Sequence, residues 1–64
     1  MPFVNVKMLE GRTPEQKREL VKALTDVMVE MAGARREGTT VIIDEYPRDH
    51  WATNGIMVAD RPKT

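Results

Sequence analysis

The second residue of the chain is a proline. Removal of Met1 would turn the Pro2 nitrogen from an amide into a secondary amine at the start of an extended segment, and a small second residue favours that removal. Free α-amino groups titrate at about 7.7–8.0, with proline somewhat higher. An apolar pocket or a nearby cation disfavours the charged form, so a modest downward shift makes such an amine a general base near neutral pH. Arg12 follows the same segment at a turn, beside a helix start whose unpaired backbone N–H groups also favour an anion. A carboxylate-bearing substrate fits there. Trp51, the only tryptophan, lies in a polar loop and is either an anchor packed on a neighbouring subunit or the apolar wall of a pocket. Taken singly, Pro2 also reads as a stable terminus and Arg12 as a solvated turn residue.

Other chemistries lack their parts. The sequence shows no Ser/His/Asp set, no glycine-rich phosphate loop, no paired-carboxylate pattern and no cluster of metal ligands. There are no cysteines, and His50 is the single histidine. No metal site is expected. Ten Lys and Arg balance ten Asp and Glu, so no basic field draws nucleic acid or a membrane surface. A small β-ribbon DNA-binding dimer would need a second helix and a basic face. The opening MPFVNVKMLEG meets a charge within a few residues, which reads as neither a signal peptide nor a membrane span and makes the cytoplasm the default compartment.

The elements that must position these residues are legible in outline. Phe3 to Leu9 alternates as a strand, with Val4, Val6 and Met8 on an apolar face and Phe3, Asn5, Lys7 and Leu9 on a mixed one. Thr13, Pro14 and Gln16 supply an N-cap, a first-turn proline and a capping box. Leu20, Val21, Leu24, Val27, Met28 and Met31 then fall at helical spacing, opposite Lys17, Arg18, Lys22, Asp26 and Glu30, as far as Gly33. Met28 and Met31 read as core filler. A second strand covers Thr39 to Tyr46, and its β-branched run suggests burial on both faces. Strand, helix, strand implies a right-handed crossover between parallel strands. Pro47 ends that strand, and the Asn54-Gly55 turn signal sits within a short C-terminal β-hairpin.

The fold class is therefore α/β, a single β-α-β unit with parallel strands plus that hairpin, in one domain over residues 1–64. At this length one core rarely supplies more than about 3–5 kcal/mol. One helix covers one face of a two-stranded sheet, and the other face and both edges stay open. Association through the bare face and edges follows, with the hairpin docking on a neighbour.

Pro2 opening a strand, Leu9-Glu10-Gly11-Arg12-Thr13 leading into Glu15-Gln16-Lys17, and Glu45-Tyr46-Pro47-Arg48-Asp49-His50-Trp51 before a glycine-containing hairpin occur in an order that resembles the 4-oxalocrotonate tautomerase family over essentially the whole chain. The resemblance implies a tautomerase/MIF-like fold, a homo-hexamer built as a trimer of dimers, active sites shared between subunits, and no cofactor. It maps Pro2 onto the proline that moves a proton between carbons of a 2-hydroxydienoate. Arg12 maps onto the arginine that holds the distal carboxylate, and Trp51 onto the aromatic that depresses the proline pKa. Another arginine, within the family's second strand, is replaced here by Thr40. Loss of one such donor typically costs about 2.7–4 kcal/mol of transition-state stabilisation. Arg36 and Arg35 are the candidates to substitute, with Arg48 and Arg61 ranked lower. Asn54 stands where a glycine is more usual.

The reading reached is a cofactor-independent isomerase acting on a small enol or 2-oxo carboxylate. Alternatives are water addition or dehalogenation of a small unsaturated acid by a cationic proline, or a noncatalytic oligomeric member of the fold.

Overall fold

The structure is a computed structural model, and it describes residues 1–62. Strand β1 spans Phe3–Leu9, helix α1 Pro14–Ala32 and strand β2 Thr40–Tyr46, with the short strands β3 (Ala52–Thr53) and β4 (Ile56–Met57) near the end. Short 3₁₀ turns at Arg36–Gly38, Arg48–His50 and Val58–Asp60 join these parts. Strands β1 and β2 are parallel and in continuous register from Phe3 opposite Thr40 to Leu9 opposite Tyr46. The sequence-based start of β2 at Thr39 moves by one residue. Thr39 instead ends the preceding turn, its N–H donating to the Arg36 carbonyl and its Oγ1 to that of Arg35.

Helix α1 begins as the sequence specifies. The Gln16 N–H donates to Thr13 Oγ1 at 3.1 Å and the Thr13 N–H donates to Gln16 Oε1 at 2.9 Å, which satisfies two of the free donors of the first turn. At the other end Gly33 adopts φ 68°, a left-handed conformation that favours glycine, and the Met28 carbonyl accepts from the chain as it leaves. Between these caps Leu20, Val21, Leu24 and Met28 pack half-buried on the sheet. Two residues assigned to that stripe do not. Val27 sits on its flank, and Met31 is 82% exposed. Nineteen helical residues span about 28 Å and seven strand residues about 23 Å, so the helix is longer than the sheet it covers. Lys17, placed on the polar side by sequence, is half-buried and pairs with Glu45 at 2.9 Å.

The Asn54-Gly55 hairpin forms as anticipated, with Ala52 opposite Met57 and Thr53 opposite Ile56. Both turn residues have positive φ, 57° and 74°, the combination of a type I′ turn, whose twist matches that of the flanking strands.

No described residue is fully buried. The β2 run thus has only one covered face in the protomer. Val41 and Ile43 meet the helix side, whereas Ile42 is 39% exposed and Phe3 on β1 63% exposed. The accessible surface is 5044 Å², against about 4,200 Å² for a compact monomer of this mass. The radius of gyration is 14.8 Å, against about 10.7 Å for a compact chain of this length. No helix among the described residues is long and apolar enough to cross a membrane.

Candidate active site

Pro2 lies half-buried immediately before β1, and its carbonyl accepts the Thr40 N–H at 3.1 Å. This bond extends the parallel ladder beyond the Phe3–Thr40 pair and holds residue 2 against the start of β2. With Met1 attached the Pro2 nitrogen is an amide and has no basic lone pair. The Met1 side chain reaches the turn before β2, where a β-carbon on Gly38 would stand 3.7 Å from Met1 Cγ.

Arg35 and Arg36 come to this same end of the sheet, and both carry carboxylate partners. Arg35 faces Glu37 at 3.4 Å. Arg36 is engaged by Asp26 of α1, which also meets Lys22 at 3.5 Å. The Arg36 hydrogen bond holds the Asp26 carboxyl below its ordinary value. Thr40, opposite Phe3, contributes no charge.

Arg12 and Trp51 gather at the other end. Arg12 donates Nη1 to the Leu9 carbonyl at 3.1 Å, just past the end of β1, and among the described residues it has no carboxylate partner. Trp51 stacks obliquely on Tyr46, with ring centroids 6.0 Å apart and planes at 56°. Tyr46 is opposite Leu9 in the register. From Pro2 to Leu9 seven strand steps cover roughly 23 Å, a gap no arginine side chain crosses. One protomer therefore does not unite Pro2 with Arg12. Among the described residues it forms no concave pocket either.

Between the two ends the open face of the sheet carries a row of polar groups that sequence reasoning did not bring together. Asn5 Nδ2 donates to Asp44 Oδ2 at 3.0 Å, Lys7 Nζ to the same oxygen at 3.1 Å, and Lys7 Nζ to the Tyr46 hydroxyl at 3.2 Å. The amide of Asn5, followed by the ammonium of Lys7, holds the Asp44 carboxyl below its usual value, and Asp44 in turn raises Lys7. Alternation places Asn5 and Lys7 on this face, but only the register adds Asp44 and Tyr46.

The lower-ranked arginines are structural. Arg48 donates to the Val58 carbonyl at 3.2 Å, and Arg61 donates to the carbonyls of Thr53 and Ile56 at 2.5 and 3.3 Å, clasping the hairpin. No group of three or more His, Asp or Glu among the described residues is placed to hold a metal ion.

The parallel pair, the single crossover helix and the terminal hairpin define a β-α-β subunit of the tautomerase fold. A family model described as "Tautomerase enzyme" matches residues 2–61. A 2-hydroxymuconate tautomerase of Bacillus subtilis is 50% identical over 60 residues, covering 94% of this chain and 97% of that protein. Among solved structures, YwhB, a homologue of 4-oxalocrotonate tautomerase, superposes with a TM-score of 0.92 at 48% identity over 95% of this chain and all of that one. A heterohexameric 4-oxalocrotonate tautomerase of Chloroflexus aurantiacus superposes with a TM-score of 0.90 at 37% identity, over 94% of this chain and 97% of its own. The chain belongs to the tautomerase family and is by class an isomerase.

Proposed function

We propose that this chain is a cofactor-independent tautomerase that interconverts the enol and keto forms of a small 2-hydroxydienoate or 2-oxo acid. Its base is the Pro2 amine exposed on loss of Met1. The neutral amine takes a proton from one position of the substrate, the electron pair shifts through the conjugated system, and the resulting ammonium returns a proton at another position. No net atoms or electrons are gained. Arg12 holds a substrate carboxylate and Trp51 supplies apolar wall.

The observation that carries this reading is the placement of Pro2 and Arg12 at opposite ends of one sheet in a protomer with an open face. Two half-sites on one subunit become a whole site where copies meet end to end. We therefore infer assembly into a homo-oligomer, with a hexamer as the expected state. The test is an enol-to-ketone assay on phenylenolpyruvate or 2-hydroxymuconate, comparing native chain with Pro2→Ala after intact mass has established loss of Met1. Equal rates overturn the reading.

One observation favours a second reading. Arg35 and Arg36, which come to the Pro2 end, each face a carboxylate, so these two arginines of the protomer are not free to lower the proline pKa. A proline titrating well above 8, measured by ¹⁵N NMR, selects an acid role in water addition or dehalogenation instead.

A further inference from the structure

Cations are distributed unevenly between the two half-sites. Arg12 uses one nitrogen on a backbone carbonyl and faces no carboxylate among the described residues. Arg36, whose backbone lies two residues from the Gly38 that the Met1 side chain approaches, sends its guanidinium to Asp26 of α1. Asp26 receives it while its other carboxylate oxygen meets Lys22. The Asp26 side chain is one-third exposed and that of Arg36 somewhat more than half. A pair this accessible to water is weak and can exchange one anion for another. Arg36 thus has two available partners, the carboxylate on its own helix or one presented by a ligand beside Pro2.

We propose that Asp26 is a positioning residue that determines specificity. By holding Arg36 on α1 it leaves the Pro2 end of the protomer, among the described residues, without a free arginine of its own, so the site favours enols of acids with a single carboxylate, bound through the Arg12 that another copy brings, over enols of dicarboxylic acids. This rests on the assignment of Pro2 as base and Arg12 as carboxylate binder. A dicarboxylate must place its second charge near Pro2, where Thr40 carries no charge and Arg35 already faces Glu37 at 3.4 Å. To gain Arg36 it must displace Asp26 and leave that carboxylate beside Lys22 alone. The substrate's second charge and Asp26 compete for one guanidinium.

The test compares kcat/KM for phenylenolpyruvate, with one carboxylate, and 2-hydroxymuconate, with two, on full-length chain lacking Met1. Asp26→Asn should raise the dicarboxylate-to-monocarboxylate ratio by about fivefold, the scale of one exposed charge interaction, through the KM of the dicarboxylate. Arg36→Ala should not raise that ratio, and Asp26→Asn combined with Arg36→Ala should restore it to the native value. Asp26→Glu should keep it. A ratio unchanged in Asp26→Asn overturns the proposal, as does a rise that persists in the double variant, which would trace the effect to Lys22. Equal loss on both substrates, with a lowered melting temperature, assigns Asp26 to packing and also overturns it. Failure of the underlying assignment is read separately, as activity with either substrate that survives Pro2→Ala.

Discussion

The two ends of the parallel sheet are built on opposite plans. At the Pro2 end the backbone is tightly organised, with the Pro2 carbonyl tied to Thr40, and Arg35 and Arg36 each face a carboxylate. At the Tyr46 end Arg12 donates to a backbone oxygen and faces no carboxylate among the described residues, and the Tyr46 and Trp51 rings pack on each other at the same end of the sheet. On the proposed assignment one end offers the nitrogen that reacts and the other the charge that binds. A subunit so divided explains why an enzyme of this size gains from association twice. Its open face needs cover, and on the proposed assignment each half-site needs the other.

The strongest way to break this comparison is at Pro2. Pro2→Ala should lower kcat/KM for enol-to-ketone conversion by about 10²–10⁴-fold, the ordinary contribution of a positioned general base, with thermal stability unchanged. Arg12→Ala should cost about 10²-fold, on the scale of a charge-assisted hydrogen bond, and the loss should appear mainly in KM. Mixing then sharpens the point. Denaturing Pro2→Ala and Arg12→Ala chains together and refolding them should recover activity that neither has alone, because some interfaces will join an intact Pro2 to an intact Arg12. Recovery no greater than the sum of the separately refolded variants would mean that each chain uses its own pair.

The smallest expected effect lies between the ends. The Asp44 carboxyl is held below its ordinary value of 3.8 by Asn5 and then Lys7. A carboxylate with a depressed folded pKa contributes stability that is present above its unfolded pKa and is lost as pH falls through the folded one. Melting temperatures of the native chain should therefore decline as pH drops below about 4, and Asp44→Asn should flatten that decline. Lys7 is raised above 10.5, so its share is present below that value and is lost at alkaline pH beyond it. Lys7→Met should remove the alkaline loss and leave most of the acid one, since Asn5 is the larger cause at Asp44.

What could be read beforehand follows the reach of each interaction. The capping box, the Gly33 stop and the Asn54-Gly55 turn are bonds among residues a few positions apart, and all three form at the positions the sequence gives. The alternation of β1 likewise sorts Val4, Val6 and Met8 from Phe3, Asn5 and Lys7. The row Asn5, Asp44, Lys7 and Tyr46 joins residues 37 to 39 positions apart, and its membership depends on a register that a crossover connection does not dictate. Arg36 was legible as a candidate, but its partner Asp26 was not, because that contact depends on how the turn before β2 folds against α1. Met31 was misread for a simpler reason. Periodicity tells which way a helical residue faces and says nothing of where the sheet beneath it stops.

The complete capping of α1 also sets an order in time. A helix with both ends satisfied by near neighbours closes its own bonds over short stretches of chain, on microsecond scales, whereas β1 must wait for a partner strand whose first residue lies 37 positions away. The helix is thus the early event and the sheet the late one, and the late event produces a surface still lacking its cover. The face so produced, with Phe3 and Ile42 exposed, is the surface that a second copy of the chain would cover.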